Sequence, residues 1–289
     1  MLLMAEAYCP ASCGELLQGW IMGGEKLISC PINWYSKVSV TQGKPGRCER
    51  PRMRQMVKQV LVHFGQSPRL ANNICIEFES TIPVAKGLAS STADIAAAAV
   101  ATTRLLGQSL SDESLAKLCV AIEPTDSTIF KDLTLFDHQT ARTRQPFPWL
   151  PDIDILLLES PQTLLTEEFH QRNHHSSLLK QAPNLAKALQ QFQLAHEKQC
   201  CHKLGEATTL SAIASQSVLP KPKFRQLLDL VEHSGIYGLN VAHSGSVIGL
   251  LFNHRQHDIE CLLSVLQQKQ LIKYYPQTHL VKMVAGGVR

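Results

Sequence analysis

Between Ile74 and Gly107 the hydrophobic period of the chain changes from two to 3.6 across a single turn. Ile74, Ile76 and Phe78 alternate with Cys75, Glu77 and Glu79, which predicts a strand with one buried face. Pro83 ends that pattern, and a turn containing Gly87, Ser90 and Ser91 follows. The Ala-rich segment Ala93–Leu106 then predicts a helix, because alanine is the best helix former, and Gly107 closes it. A strand that feeds a helix through a short glycine–serine turn brings the helix N-terminus to a sheet end, where unpaired amides and the macrodipole favour an anion.

The rest of the chain alternates in the same manner. Leu27–Ile32 and Lys37–Thr41 read as a short strand pair joined across Asn33-Trp34. Met53, Met56, Val57, Val60, Leu61 and Phe64 fall at helical spacing, with Gly65 where a terminating glycine belongs. Ser111-Asp112-Glu113 begins another helix, with Leu115, Leu118, Cys119 and Ile122 on one face and Pro124 as its stop. Arg142–Pro151 holds three prolines, argues against regular structure and is the best boundary. Beyond it, Ile153–Leu158 reads as a buried strand and Pro183–Glu197, Cys201–Ala214 and Pro222–His233 as helices. Two short strands flank the turn His243-Ser244-Gly245-Ser246, then come a helix near Ile259–Gln268 and a strand near His279–Val284. The expectation is an α+β chain of two domains, 1–145 and 150–289.

Composition narrows the function classes. Of 289 residues 44% are hydrophobic, enough for a packed core and too many for a disordered chain. A net charge of +4 with no basic run gives no footprint for nucleic acid. No apolar run approaches the roughly 18 residues of a membrane span, and Met1–Glu6 has no basic region of a signal peptide. Nine cysteines without framework spacing then suggest reduced thiols and a cytoplasmic protein.

Chemistry concentrates in three places. Pro83-Val84-Ala85-Lys86-Gly87-Leu88-Ala89-Ser90-Ser91-Thr92 can cradle phosphate: Gly87 allows close backbone approach, Ser90, Ser91 and Thr92 offer hydroxyls, and Lys86 adds a cation. The same residues also read as a plain capped helix, since Ser91-x-x-Asp94 has the form of a capping box. Neither the Walker A nor the dinucleotide-binding spacing is present. Glu123-Pro124-Thr125-Asp126-Ser127 places two carboxylates at a helix stop, where Asp126 either serves chemistry or caps a turn. Cys9-x-x-x-Cys13 and Cys200-Cys201-His202 lack zinc-site spacing, and the i,i+4 pair His170 and His174 has no intervening glutamate, so a solvated face is the simpler reading.

Pro83-x-x-x-Gly87-Leu88-Ala89-Ser90-Ser91 resembles the phosphate-binding motif of the GHMP kinases. Cys9–Gly19 stands where that family has its first motif, and Tyr237–Gly249 where it has its glycine-rich third. The first lacks the usual Pro-Gly-Lys, and the third has His243 and Ser246 in place of glycines. The resemblance implies an N-terminal half like ribosomal S5 domain 2 and a ferredoxin-like C-terminal half. It implies ATP and Mg2+, with phosphates on Pro83–Thr92 closed by Ser244 and Gly245. It places Asp126 at the family's proton-accepting aspartate and Ser91 at its metal-side hydroxyl; Glu123 would reach the metal or a substrate ammonium. The match is strongest to the branch acting on L-threonine for the aminopropanol linker of adenosylcobalamin; homoserine or mevalonate is the alternative alcohol, and a catalytically silent nucleotide sensor the alternative class. Glu15 and Asn33, from the N-terminal segment, are the candidate contacts to the amino acid.

Overall fold

The computed structural model describes residues 4–161 and 174–289. Its organising feature is a long antiparallel ribbon, β1 (Met4–Ile21) and β2 (Gly24–Gln42), turned at Met22-Gly23. The hairpin expected at Asn33-Trp34 does not form. Both halves of β2 pair with β1, and the register jumps from Pro10↔Tyr35 to Ala11↔Ile32, so Asn33 and Trp34 are an outward bulge. Asn33 could take the left-handed conformation that a two-residue hairpin requires, but the bulky Trp34 suits it poorly.

The strands β3 (Ile74–Ser80), β4 (Leu133–Phe136) and β5 (Arg144–Phe147) extend the β2 side. On the β1 side lie β7 (Gly238–Val241), β8 (Ile248–Phe252), β6 (Asp154–Glu159) and β9 (Gln277–Lys282). The spatial order is β5-β4-β2-β1-β7-β8-β6-β9, with β3 also on β2. Part of the proline-rich stretch is therefore regular, contrary to expectation: Pro146 sits in β5 at the sheet edge, where a missing N–H forfeits no ladder bond. The halves of the sheet meet at one ladder pair, Glu15↔Val241, and at the isolated bridge Ile32↔Met283.

Seven helices are described. They are α1 (Pro51–His63), α2 (Ser90–Leu105), α3 (Asp112–Val120), α4 (His175–Lys198), α5 (Cys201–Ser215), α6 (Phe224–Ser234) and α7 (Ile259–Gln268). α2 is buried nearly all round; its alanines let it lie close to β1, β2 and α1. α4 begins well before Pro183, where the helical pattern predicts its start. An interior proline costs roughly 3 kcal/mol; the buried Leu185, Ala188, Leu189, Phe192 and Ala195 of the same helix offset it. One buried cluster spans β1, β2, α1, α2 and α4, and a second lies among β6–β8, α6 and α7. The C-terminal residues return to the first half, where Arg289 and Tyr8 exchange backbone hydrogen bonds of 2.9 and 2.8 Å. Among the described residues no helix is long and apolar enough to cross a membrane.

Gly14 makes the junction at Glu15 possible. It adopts φ +57°, and a Cβ there would lie 2.5 Å from the carbonyl carbon of Val241 and 2.7 Å from the Ala242 nitrogen. Gly14→Ala is expected to cost about 1–3 kcal/mol, from overpacking and the left-handed conformation together. Gly43→Ala, whose new methyl would meet only Cys75 Cβ at 3.5 Å, should stay within about 0.5 kcal/mol of the parent. Denaturant midpoints compare the two.

Candidate active site

The turn from β3 to α2 is conformationally unusual. Ala85, Gly87 and Ala89 have φ of 61°, 81° and 59°. For each alanine this costs roughly 1–2 kcal/mol, and such outliers persist where the surroundings over-determine them. Ala89 is the residue preceding α2 and makes no side-chain cap. The capping box expected of Ser91 and Asp94 is absent, because Asp94 is held by Ser36 and Arg50. Ser90, Ser91 and the first-turn amides of α2, which have no carbonyl one turn earlier, thus line a cleft.

Gly87 lines the cleft, yet the side on which a Cβ would sit is filled by protein: Ala242 Cβ at 2.6 Å and Gly245 Cα at 2.7 Å. Ser246 N donates to Lys86 O at 3.1 Å. The β3–α2 turn and the third motif are interlocked, and Gly245, outside the cleft lining, serves that contact. Lys86 departs from its expected role. Its ammonium points away, ion-paired with Glu159 at 3.1 Å and donating to Ser160 O at 2.8 Å. Pro83 and Val84 also lie outside the lining.

Asp126 follows the loop after α3 and precedes a single 3-10 turn, Ser127–Ile129. Its side chain makes no cap bond to that turn. Instead Asp126 Oδ2 accepts from Thr92 Oγ1 at 2.9 Å, and Asp126 N donates back to that hydroxyl at 3.2 Å. Thr92, expected on phosphate, uses its hydroxyl to hold the aspartate. Ser127 and Ser29 exchange backbone–hydroxyl hydrogen bonds of 3.0 and 2.8 Å, which pin the turn to β2. Glu15, 3% exposed, reaches Asp126 from the bulge in β1. Burial, and then the charge of Asp126, push the Glu15 carboxyl well above the usual carboxylate range. Burial raises Asp126 to about 6 against the hydrogen bond from Thr92. Both carboxyls are thus pushed upward by the same buried place, and Glu15 Oε2 has no hydrogen-bond partner.

A cation and two oxygen donors stand opposite. Arg52 of α1 pairs with Glu123 Oε2 at 2.6 Å and donates to Ser91 Oγ at 3.3 Å. Ser91 and Glu123 are thus gathered around one positive group, as hard oxygen donors for Mg2+ would be. Asn33 is not in the cleft: it is exposed in the β2 bulge, and its Oδ1 accepts from Lys282 N at 2.9 Å. Ser244 lines the cleft. Of the expected histidine pair, His170 lies outside the described residues, and His174 precedes α4.

The model of the GHMP kinases N terminal domain matches residues 53–131. L-threonine kinases of Citrobacter freundii and Salmonella typhimurium are 53% and 54% identical to the chain, over 99% of its length and 99% and 95% of theirs. The chain belongs to the GHMP kinase family. A homoserine kinase from Cytophaga hutchinsonii superposes with a TM-score of 0.68 over 100% of this chain and 98% of its own, at 14% identity, which speaks to the fold.

Three residues that build the cleft of this GHMP kinase escaped the sequence reading. Arg52 had a signal: arginines at 50 and 52 sit at a helix N-terminus, where the dipole disfavours them unless an acid is near. His138 lines the cleft from the loop after β4. Lys221 is buried and donates to the carbonyls of Ala242, at 3.1 Å, and Gly245; burial pushes its amine down to about 7. Nothing local marked either of these.

The raised Asp126 carboxyl makes a stability prediction. Between about 4 and about 6 the folded protein binds the proton that the unfolded chain, at 3.8, has lost. The favourable contribution of this group is thus present below the unfolded value and lost as pH rises through about 6. Asp126→Asn should therefore melt higher than the parent at pH 8, by on the order of 1 kcal/mol, with the excess shrinking toward pH 4. Melting curves across that range read it directly.

Proposed function

We propose that this GHMP kinase transfers the γ-phosphoryl group of ATP to the side-chain hydroxyl of L-threonine, giving O-phospho-L-threonine and ADP. The whole-length likeness to L-threonine kinases supports the substrate. The observation that carries the mechanism is the Thr92–Asp126 hydrogen bond, since it ties a carboxylate to the first turn of the helix proposed to hold the phosphates. Phosphoryl transfer asks mainly for positioning and neutralisation of charge, together with a group that orients the nucleophile.

The α2 N-terminus, with Ser90 and Ser91, accepts the phosphates in this reading. Ser244 closes the turn from the third motif. Asp126 accepts the hydroxyl proton as the threonine oxygen forms its bond to phosphorus and the bond to ADP breaks. Its raised carboxyl suits that task, since a base works best near the operating pH. Glu15 lies against Asp126 and leaves Oε2 to meet the substrate. Arg52 supplies a side-chain cation at a cleft to which the first motif brings no lysine. Mg2+, when bound, neutralises the β- and γ-phosphates; Ser91 and Glu123 are the residues that would hold it. The product would feed formation of the aminopropanol linker of adenosylcobalamin.

Steady-state kinetics with a panel of alcohols tests the reading. L-threonine should exceed L-serine in kcat/KM by the 1–3 kcal/mol that one methyl group is worth, roughly 10- to 200-fold. Preferred turnover of homoserine or mevalonate would replace the substrate and keep the fold. Asp126→Asn should lower kcat by roughly 10²–10⁴ with little change in ATP KM. In the parent, kcat/KM should rise with pH through about 6 as Asp126 loses its proton. A stable Asp126→Asn enzyme that keeps most of its kcat would remove the base assignment. Ser91→Ala should raise the Mg2+ concentration needed for half-maximal rate.

A further inference from the structure

His138 and His243 of the cleft lining form, together with Glu25, a second cluster that the kinase chemistry leaves unused. Glu25 follows the β1–β2 turn, His138 lies in the loop after β4, and His243 lies in the turn after β7. One ligand atom from each falls within 4.8 Å of the other two. We propose that Glu25, His138 and His243 form a binding site for a transition-metal dication of the Zn2+ class, separate from the oxygen donors Ser91 and Glu123.

The hydrogen bonds around His243 fix its tautomer. Gln18 Nε2 donates to Val241 O at 2.9 Å, and a carbonyl can only accept. Gln18 Oε1 is therefore the atom 2.9 Å from His243 Nδ1, so Nδ1 carries a proton. In the neutral ring the Nε2 lone pair then faces Glu25 Oε1 at 3.4 Å. A lone pair against a carboxylate is unfavourable unless a proton on Nε2 or a metal ion lies between them, and His138 beside the pair adds the further donor that a metal ion takes and a proton does not. The carboxylate is oriented in the same sense: Gln139 Nε2 donates to Glu25 Oε2 at 2.9 Å, and Oε1 is left toward His243. Such outer partners are what metal-ligating imidazoles and carboxylates require.

The third donor and the surroundings agree. His138 is 2% exposed and meets the His243 ring edge-on, with centroids 5.2 Å apart. Two imidazoles and one carboxylate select Zn2+, Co2+ or Ni2+ over Mg2+, and three protein ligands leave a coordination position open. His138 and His243 both line the cleft that contains Asp126, so that position faces the cleft. The turn bearing His243 is the one locked to the phosphate loop through Gly245 and held by Lys221.

The test uses the untagged full chain and Co2+ alone as the probe, read by visible absorption and by competition with Zn2+. One equivalent should bind with the d–d bands of nitrogen and oxygen ligation and without the near-ultraviolet band of thiolate ligation. His138→Gln and His243→Gln should each weaken binding at least tenfold, while the double substitution Cys200→Ser/Cys201→Ser leaves it unchanged. If a histidine variant fails to fold, Glu25→Gln on the rim gives the same reading. Absence of stoichiometric binding would overturn the site and show that an imidazolium–carboxylate pair alone occupies it. So would binding that survives loss of both histidines. Neither result bears on threonine phosphorylation, because the readout does not involve turnover.

Discussion

The pair Glu15↔Val241 is where the main-chain ladder passes from β1 to β7, and it is also where the deepest acid of the cleft is anchored. Both facts follow from the bulges in β1. The register shifts on either side of Glu15 turn successive side chains off their alternation, so a carboxylate can point inward from a strand whose neighbours are apolar. Gly14 permits this because the Val241 backbone occupies the place of its Cβ. The cleft is thus assembled at a seam: its acids come from β1 and the loop after α3, its serines from the β3–α2 connection, and its remaining wall from the turn after β7. A shift of one register position at the seam would displace Glu15 and the third motif together.

That seam is held under tension. Glu15 and Asp126 are two acids in one buried place, Lys221 is a buried amine bonded to carbonyls, and Ala85 and Ala89 are alanines in a glycine conformation. Each costs free energy, and each stands within or behind the cleft. The compensation lies elsewhere, in the apolar clusters around α2 and among β6–β8. α2 belongs to both sides of this balance: its alanine-rich body is the most deeply packed helix surface, and its first turn holds Asp126 through Thr92. A tightly packed helix whose first turn lines the cleft would give the proposed phosphates a rigid mount, which is what phosphoryl transfer asks of a protein.

Much of this was legible in the residues, and the failures have a common cause. The strand Ile74–Ser80 and the helices α1, α2, α3, α5 and α7 are carried by local periodicity and by end signals, and they fall close to where those signals put them. The misreadings occur where a distant partner overrules a local sign. Asn33-Trp34 looks like a hairpin until β1 is laid beside it. Pro146 looks like a breaker until β5 proves to be an edge. Pro183 looks like a helix start until the buried face of α4 extends past it. The site follows the same rule. Ser91, Glu123, Asp126 and Glu15 do converge on one cleft, whereas Lys86 is drawn away by Glu159, 73 residues later in the chain, and Asn33 by Lys282. A lysine beside a glycine turn is a local pattern; the acid that captures it is a tertiary fact.

The position of Arg52 follows from the same logic. A guanidinium at the start of α1 opposes the helix dipole, so it is stable there only while acids stand nearby. Glu123 and Asp94 supply them, Asp94 through Arg50 one turn edge away. Both acids are attached to the chemistry: Asp94 lies on α2, two residues past Thr92, and Glu123 lies three residues before Asp126. The two ion pairs therefore strap α1 across the β3–α2 turn and the loop before Asp126 at once. Arg52 answers both to Glu123 and to Ser91, so a phosphate or a metal ion that draws on those oxygens must also move or share the guanidinium. The cation of this cleft is consequently coupled to the same groups that would bind the metal, which a lysine projecting from the first motif on β1 would not be.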